Sequence, residues 1–176
     1  VNLPASILST IAICAVVFSA VLFQPVPLSA AETVVQPEKP AAQYPDVHIL
    51  AGITKQVPMT EINSLWQEFY AQTGLHELVS NKQPSIYVLY QDISEGFDNA
   101  RITIGYDVRD LKSTIETQPV PRGSYQTLLP AGKYSHEELY GWSDLDYSKG
   151  TEAILEQHKV DPSGQVISTS LLVLYR

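Results

Sequence analysis

The residues with chemistry to offer are mostly aromatic. The chain carries 10 Tyr, 4 Phe and 2 Trp. A tyrosine has a flat apolar face and a polar tip, which suits a pocket for a flat organic molecule. Tyr87, Tyr106, Tyr134 and Tyr175 fall on predicted strands, and Trp66 and Tyr70 on a predicted helix. Trp142, beside Gly141 in a loop, is a candidate lid or a surface aromatic. The plainer reading of these residues is core packing, and for Trp66 it is helix–sheet packing. Asp107, Glu137 and Glu138 are acids in or beside strands. One of them pointing inward would meet a cation; the plainer reading is a solvated strand face. Asp107 follows Tyr106, so alternation sends the two to opposite faces of a sheet.

Other chemistries find little support. The four histidines, at 48, 76, 136 and 158, have no metal-ligand spacing, and His136-Glu-Glu138 is not the His-Glu-x-x-His zinc motif. Ser124 and Ser135 lack the Gly-x-Ser-x-Gly context of a nucleophile elbow. The 9 glycines are scattered, with no phosphate-cradling loop. Arg101, Arg109 and Arg122 are isolated and read as surface residues. With 11 basic against 19 acidic residues and a net charge of -8, no basic footprint for nucleic acid is present. Neither a metal nor an organic cofactor is expected.

The elements that would position the aromatics follow from periodicity. His48–Val57 puts Ile49, Ala51 and Ile53 on one face, as in a strand. Thr60 is a good N-cap, and Ile62, Leu65, Trp66, Phe69 and Tyr70 form one apolar helix face that Gly74 would close. Ser85–Tyr90 and Arg101–Val108 read as a hairpin across a loop holding Gly96. Pro119, Pro121 and Gly123 separate two halves. Tyr125–Leu129 and Lys133–Glu137 are expected as short strands around Pro130-Ala-Gly132. Tyr147, Thr151, Ile154, Leu155 and His158 have helical spacing, so a second helix is expected over 147–159. Asp161–Gly164 is a turn, and Ser168–Tyr175 a last strand. Runs of strand with few helices predict an α+β fold on an antiparallel sheet.

No charged residue precedes Glu32, and Ile7–Phe23 holds nothing more polar than Ser or Thr. A proline pair and the small residues Ser29, Ala30 and Ala31 follow. This pattern fits a secretory signal peptide over 1–31; an uncleaved anchor is the competing reading. Residues 32–44, with Pro37 and Pro40, read as a flexible tether, and 45–176 as the folded domain. The single Cys, Cys14, would leave with the signal. A periplasmic or secreted location is therefore expected, with membrane contact only through the signal or anchor.

Four segments resemble the GyrI-like, or effector-binding, domain of AraC-type and related bacterial regulators. They are Ile-Asn-Ser-Leu-Trp-Gln-Glu-Phe at 62–69, the Tyr-rich strand and acidic loop at 86–99, Ile-Gly-Tyr-Asp-Val at 104–108, and Leu-Pro-Ala-Gly-Lys-Tyr at 129–134. The resemblance implies two strand-helix-strand-strand units with pseudo-twofold symmetry, two helices on an antiparallel sheet, and a small-molecule cleft between the units. It also implies apolar, often cationic, ligands, with hydrolysis of strained rings in a subset. Such domains often end in a Phe-Glu-x-Tyr strand whose buried Glu meets the cation. Here the matching stretch is taken as Leu172–Tyr175, which places Val173 at the Glu position. That reading makes the protein a non-catalytic binder of a hydrophobic or amphipathic effector. A small-ring hydrolase and an envelope protein–protein module, its protein partner unspecified, are the alternatives.

Overall fold

The computed structural model describes residues 42–113 and 115–176. The expected signal segment and most of the tether lie outside the described residues. Two residues of the expected tether, Ala42–Gln43, form β1. The other strands are β2 (Ile49–Pro58), β3 (Ser85–Gln91), β4 (Asn99–Asp107), β5 (Thr117–Pro119), β6 (Tyr125–Gly132), β7 (Thr151–Val160) and β8 (Val166–Tyr175). They form one antiparallel sheet of eight strands in the order β1-β6-β8-β7-β3-β4-β2-β5. Among the described residues three short α-helices accompany it: α1 (Ile62–Tyr70), α2 (Thr73–Glu77) and α3 (His136–Tyr140). The fold is α+β, as expected.

The alternation of side chains along each strand divides the core in two. Ile86, Val88 and Tyr90 of β3, Ile102, Ile104 and Tyr106 of β4, and Ile154 of β7 pack with Ile62, Leu65 and Phe69 of α1. On the other face Leu50, Tyr87, Leu89, Tyr125, Leu155 and Leu174 form a second cluster. β2 and β4 come unusually close, because Gly52 sits opposite Gly105. A Cβ on Gly105 would lie 2.3 Å from the Ala51 carbonyl oxygen.

Several elements differ from expectation. The segment 147–159 is not a helix: Thr151–Val160 is a central strand between β3 and β8. Ala153 and Leu155 face one cluster and Ile154 the other, so the apolar positions are buried on both faces, which blurs strand alternation. Lys133–Glu137 is not a strand either. β6 extends through Pro130-Ala-Gly132 with register shifts against β8 between Thr127 and Leu129 and between Leu129 and Gly132, and Ser135 caps α3. Ser135 Oγ accepts from the Glu138 N–H while the Glu138 carboxylate accepts from the Ser135 N–H, a reciprocal pair that fixes the helix start. Thr60 is not an N-cap; Met59–Glu61 forms a 3-10 turn tied by the Met59 N–H to the Asp98 carbonyl. Gly74 does not end the helix. The chain re-enters α2 there, because Leu75 is buried and His76 Nε2–H donates to the Phe69 carbonyl. No helix of the described residues is long and apolar enough to cross a membrane.

Candidate functional site

β7 turns Ile154, Glu156, His158 and Val160 toward the helices, by strand alternation. Two of these four are ionisable, and both are buried: Glu156 is 0% and His158 5% exposed. A buried carboxylate is costly without partners, and Glu156 has two. The Tyr90 hydroxyl donates to Oε1 at 2.8 Å, and His158 Nε2 lies 3.0 Å from Oε2. His158 Nδ1 is 3.0 Å from the Thr169 hydroxyl on β8. Register brings the set together: Val88 stands opposite Glu156, Tyr90 opposite Ile154, and His158 opposite Thr169.

Aromatic side chains roof this polar core. Trp66 of α1 meets the His158 ring edge to face at 5.3 Å and stacks on Tyr70 at 5.6 Å. Trp142 meets Tyr90 edge to face at 5.4 Å. Tyr140, at the end of α3, feels burial first and then the Glu156 charge, and both push its phenol pKa up; the Trp66 indole draws it back in part. Burial and then the neighbouring carboxylate also push the Tyr90 phenol well above its ordinary value. Both hydroxyls therefore stay protonated, Tyr90 as the donor to Glu156. Trp142 carries two marks of strain: φ is 42°, and its buried Nε1–H has no hydrogen-bond partner. A bulky side chain in that backbone region is held by its surroundings at a cost.

Two clefts open along α1. One of about 230 Å³ lies between the start of α1 and α3 and is lined by Met59, Ile62, Asn63, His136, Tyr140 and Trp142. The other, about 370 Å³, lies at the C-terminal end of α1 against Tyr70, His76, Tyr106 and Val160. In that second cleft His76 Nδ1 is 3.0 Å from the Tyr106 hydroxyl. Burial pushes the Tyr106 phenol up to about 12, with the neighbouring Tyr70 a lesser cause. A larger hollow of about 450 Å³ is walled by Tyr44, Pro45, Val47, His48, Pro121, Arg122 and Gly123. None of its polar side chains is buried, so nothing there would fix a ligand's orientation.

The sequence candidates divide accordingly. Trp66, Tyr70 and Tyr106 share the α1 face, and Trp142 closes its other end. Val173 is fully buried in the core beneath the helices, paired with Ile154 and Gln126. Tyr87 lies on the opposite face, where its hydroxyl accepts from Gln157. Tyr134 donates to the Pro130 carbonyl and stays at the end of β6. Tyr175 accepts from the Asp146 N–H, with Lys149 over its ring. Asp107 accepts from the Arg109 guanidinium, away from the helix face. Glu137 and Glu138 are exposed. None of the three acids marked as possible cation partners thus joins the buried cluster. The carboxylate is Glu156 instead, and with it sequence reasoning missed His158, Tyr90 and Tyr140. A partial signal was present: Leu155-Glu156-Gln157-His158 keeps the Glu of the Phe-Glu-x-Tyr pattern, with Leu in place of Phe and His in place of Tyr, one strand before the stretch compared with it.

A family model described as the GyrI-like small molecule binding domain matches residues 48–143. The chain belongs to this family. No curated protein matches it. The matched span supplies α1, β3, β4 and α3, and so one wall of the candidate site and its roof; Glu156 and His158 lie beyond it. Small-molecule binding is the function this membership supports.

Proposed function

We propose that this GyrI-like domain binds an apolar or amphipathic molecule bearing a positive charge, without transforming it. The ligand lies between α1 and α3, over β7. One observation carries the reading: a fully buried carboxylate, Glu156, under a roof of Trp66, Tyr140 and Trp142. Aromatic faces attract cations, and a desolvated carboxylate rewards a cation far more than water does. This replaces the neutral ligand that a valine at the carboxylate position would favour. The orphaned Trp142 N–H offers one donor to a ligand acceptor. Two strand-helix-strand-strand units, β2-α1-β3-β4 and β6-α3-β7-β8, meet at the β3–β7 pair. A pseudo-twofold axis there would place the ligand where the units meet.

Thermal shift tests the binding reading, with tetraphenylphosphonium, flat cationic dyes and neutral heterocycles as probes. At a cation concentration a hundred times Kd the expected stabilisation is about 2.7 kcal/mol. No stabilisation by any probe refutes it. A second reading, hydrolysis of a strained ring, is favoured by the Tyr90 hydroxyl 2.8 Å from Glu156, an acid beside a carboxylate. Turnover of an activated cyclopropane, lost in Glu156→Gln, would establish it. The export pattern of residues 1–31 supports a mature protein that begins after Ala31 and acts outside the cytoplasm. Amino-terminal sequencing of the natural protein decides this.

A further inference from the structure

We propose that the Glu156–His158 pair holds one exchangeable proton that stands in for the ligand's positive charge, so that a cation binds by expelling it. This rests on the binding reading above and names what the site selects. Glu156 is completely buried, and His158 is its one ion-pair partner among the described residues. The other described groups that meet the pair are neutral. Tyr90 comes from β3 and Tyr140 from α3, both with phenols pushed up by burial and by the carboxylate. Thr169 comes from β8, and Trp66 with Tyr70 from α1.

The charge balance then admits two arrangements. With both groups deprotonated the pair carries a net negative charge in a dry interior, which is costly. With one proton added it is neutral, whichever partner carries it. The ligand-free protein therefore keeps that proton. A bound cation supplies the same charge from outside, and the proton passes to the solvent buffer. A neutral ligand of the same shape has no charge to exchange and leaves the proton in place. His158 thereby acts as a specificity-determining residue: it sets the cost of entry for cations by pH and leaves neutral molecules indifferent to it.

Calorimetric titration of the full chain tests this. The probes are tetraphenylphosphonium and its neutral counterpart triphenylphosphine oxide, in buffers of differing ionisation enthalpy. The apparent enthalpy should report release of about one proton per bound phosphonium and none for the oxide, with phosphonium affinity rising about tenfold per pH unit while the pair is protonated. Glu156→Gln, checked for a cooperative melt, should abolish both the release and the pH slope. Phosphonium binding without proton release, or equal release with the oxide, overturns the inference and leaves the binding reading standing. Absence of binding by both probes overturns the inference and the binding reading together.

Discussion

Replacing Tyr90 by Phe isolates one bond in the buried cluster. The ring is fully buried and stays packed edge to face on Trp142 at 5.4 Å, so the change creates no cavity. What disappears is a hydroxyl that donates to Glu156 Oε1 at 2.8 Å. Hydrogen bonds to charged groups contribute about 1.5–3 kcal/mol, and a desolvated acceptor left unpaired costs a similar amount. His158 holds only the other oxygen, so Oε1 loses the one donor that it has among the described residues. Tyr90→Phe should therefore destabilise the domain by about 1.5–3 kcal/mol. At roughly 2–4 °C per kcal/mol the melting temperature should fall by several degrees. Urea denaturation gives the free energy directly. The double-mutant cycle with Glu156→Gln should show a coupling energy of the same order, since a neutral amide needs the donor less. A loss below about 0.5 kcal/mol, with no coupling, would refute the reasoning, because the hydroxyl would then have exchanged its bond for water at no cost.

Gly105→Ala should destabilise by roughly 1–3 kcal/mol or more, since its Cβ would lie 2.3 Å from the Ala51 carbonyl oxygen; a thermal melt within a degree of wild type would contradict the close approach of β2 and β4. Tyr106 should titrate near pH 12 by tyrosinate absorbance, against an ordinary value of 10.0. Because its folded-state pKa is raised, the stability it contributes is complete below about pH 10 and is lost as pH rises toward about 12; Tyr106→Phe should remove that component from the alkaline fall in stability. Ser135→Ala removes the reciprocal cap of α3, so amide exchange over residues 137–140 should quicken about fivefold. The Glu138 carboxyl is held low first by the residue 135 backbone N–H, which the variant keeps, and second by the Ser135 hydroxyl, which it loses, so its titration should move up only in part; unchanged amide exchange would show that the cap does not hold the helix.

The part of the fold that was legible is the part where one face is buried and the other wet. α1 shows this, with Ile62, Leu65 and Phe69 buried and Asn63, Ser64 and Gln67 exposed. The hairpin of β3 and β4 was legible for a different reason, a dense run of β-branched and aromatic residues. β7 had neither signal. Its buried residues are Thr151, Ala153, Ile154, Leu155, Glu156, His158 and Val160, with four in a row at 153–156. A strand lodged between two others and covered on both faces loses the period of two, and what remains matches helical spacing at Ile154, Leu155 and His158. α3 was hidden by its length: five residues give too little periodicity to outweigh a strand reading.

The same error concealed the site. Read as part of a helix, Glu156 is one more charge on a solvated face, and His158 a lone histidine. Read as a strand, the two stand two residues apart on one face, within reach of each other and under α1. The aromatic residues singled out from composition could not supply this, because tyrosine serves cores and pockets equally well. Tyr87 and Tyr106 show it: both are buried, on opposite faces of the sheet. What separates a pocket from a core is a polar group that the core would not tolerate unpaired. On the helix face that group is Glu156, and its burial is the consequence of one assignment, strand rather than helix, at 151–160.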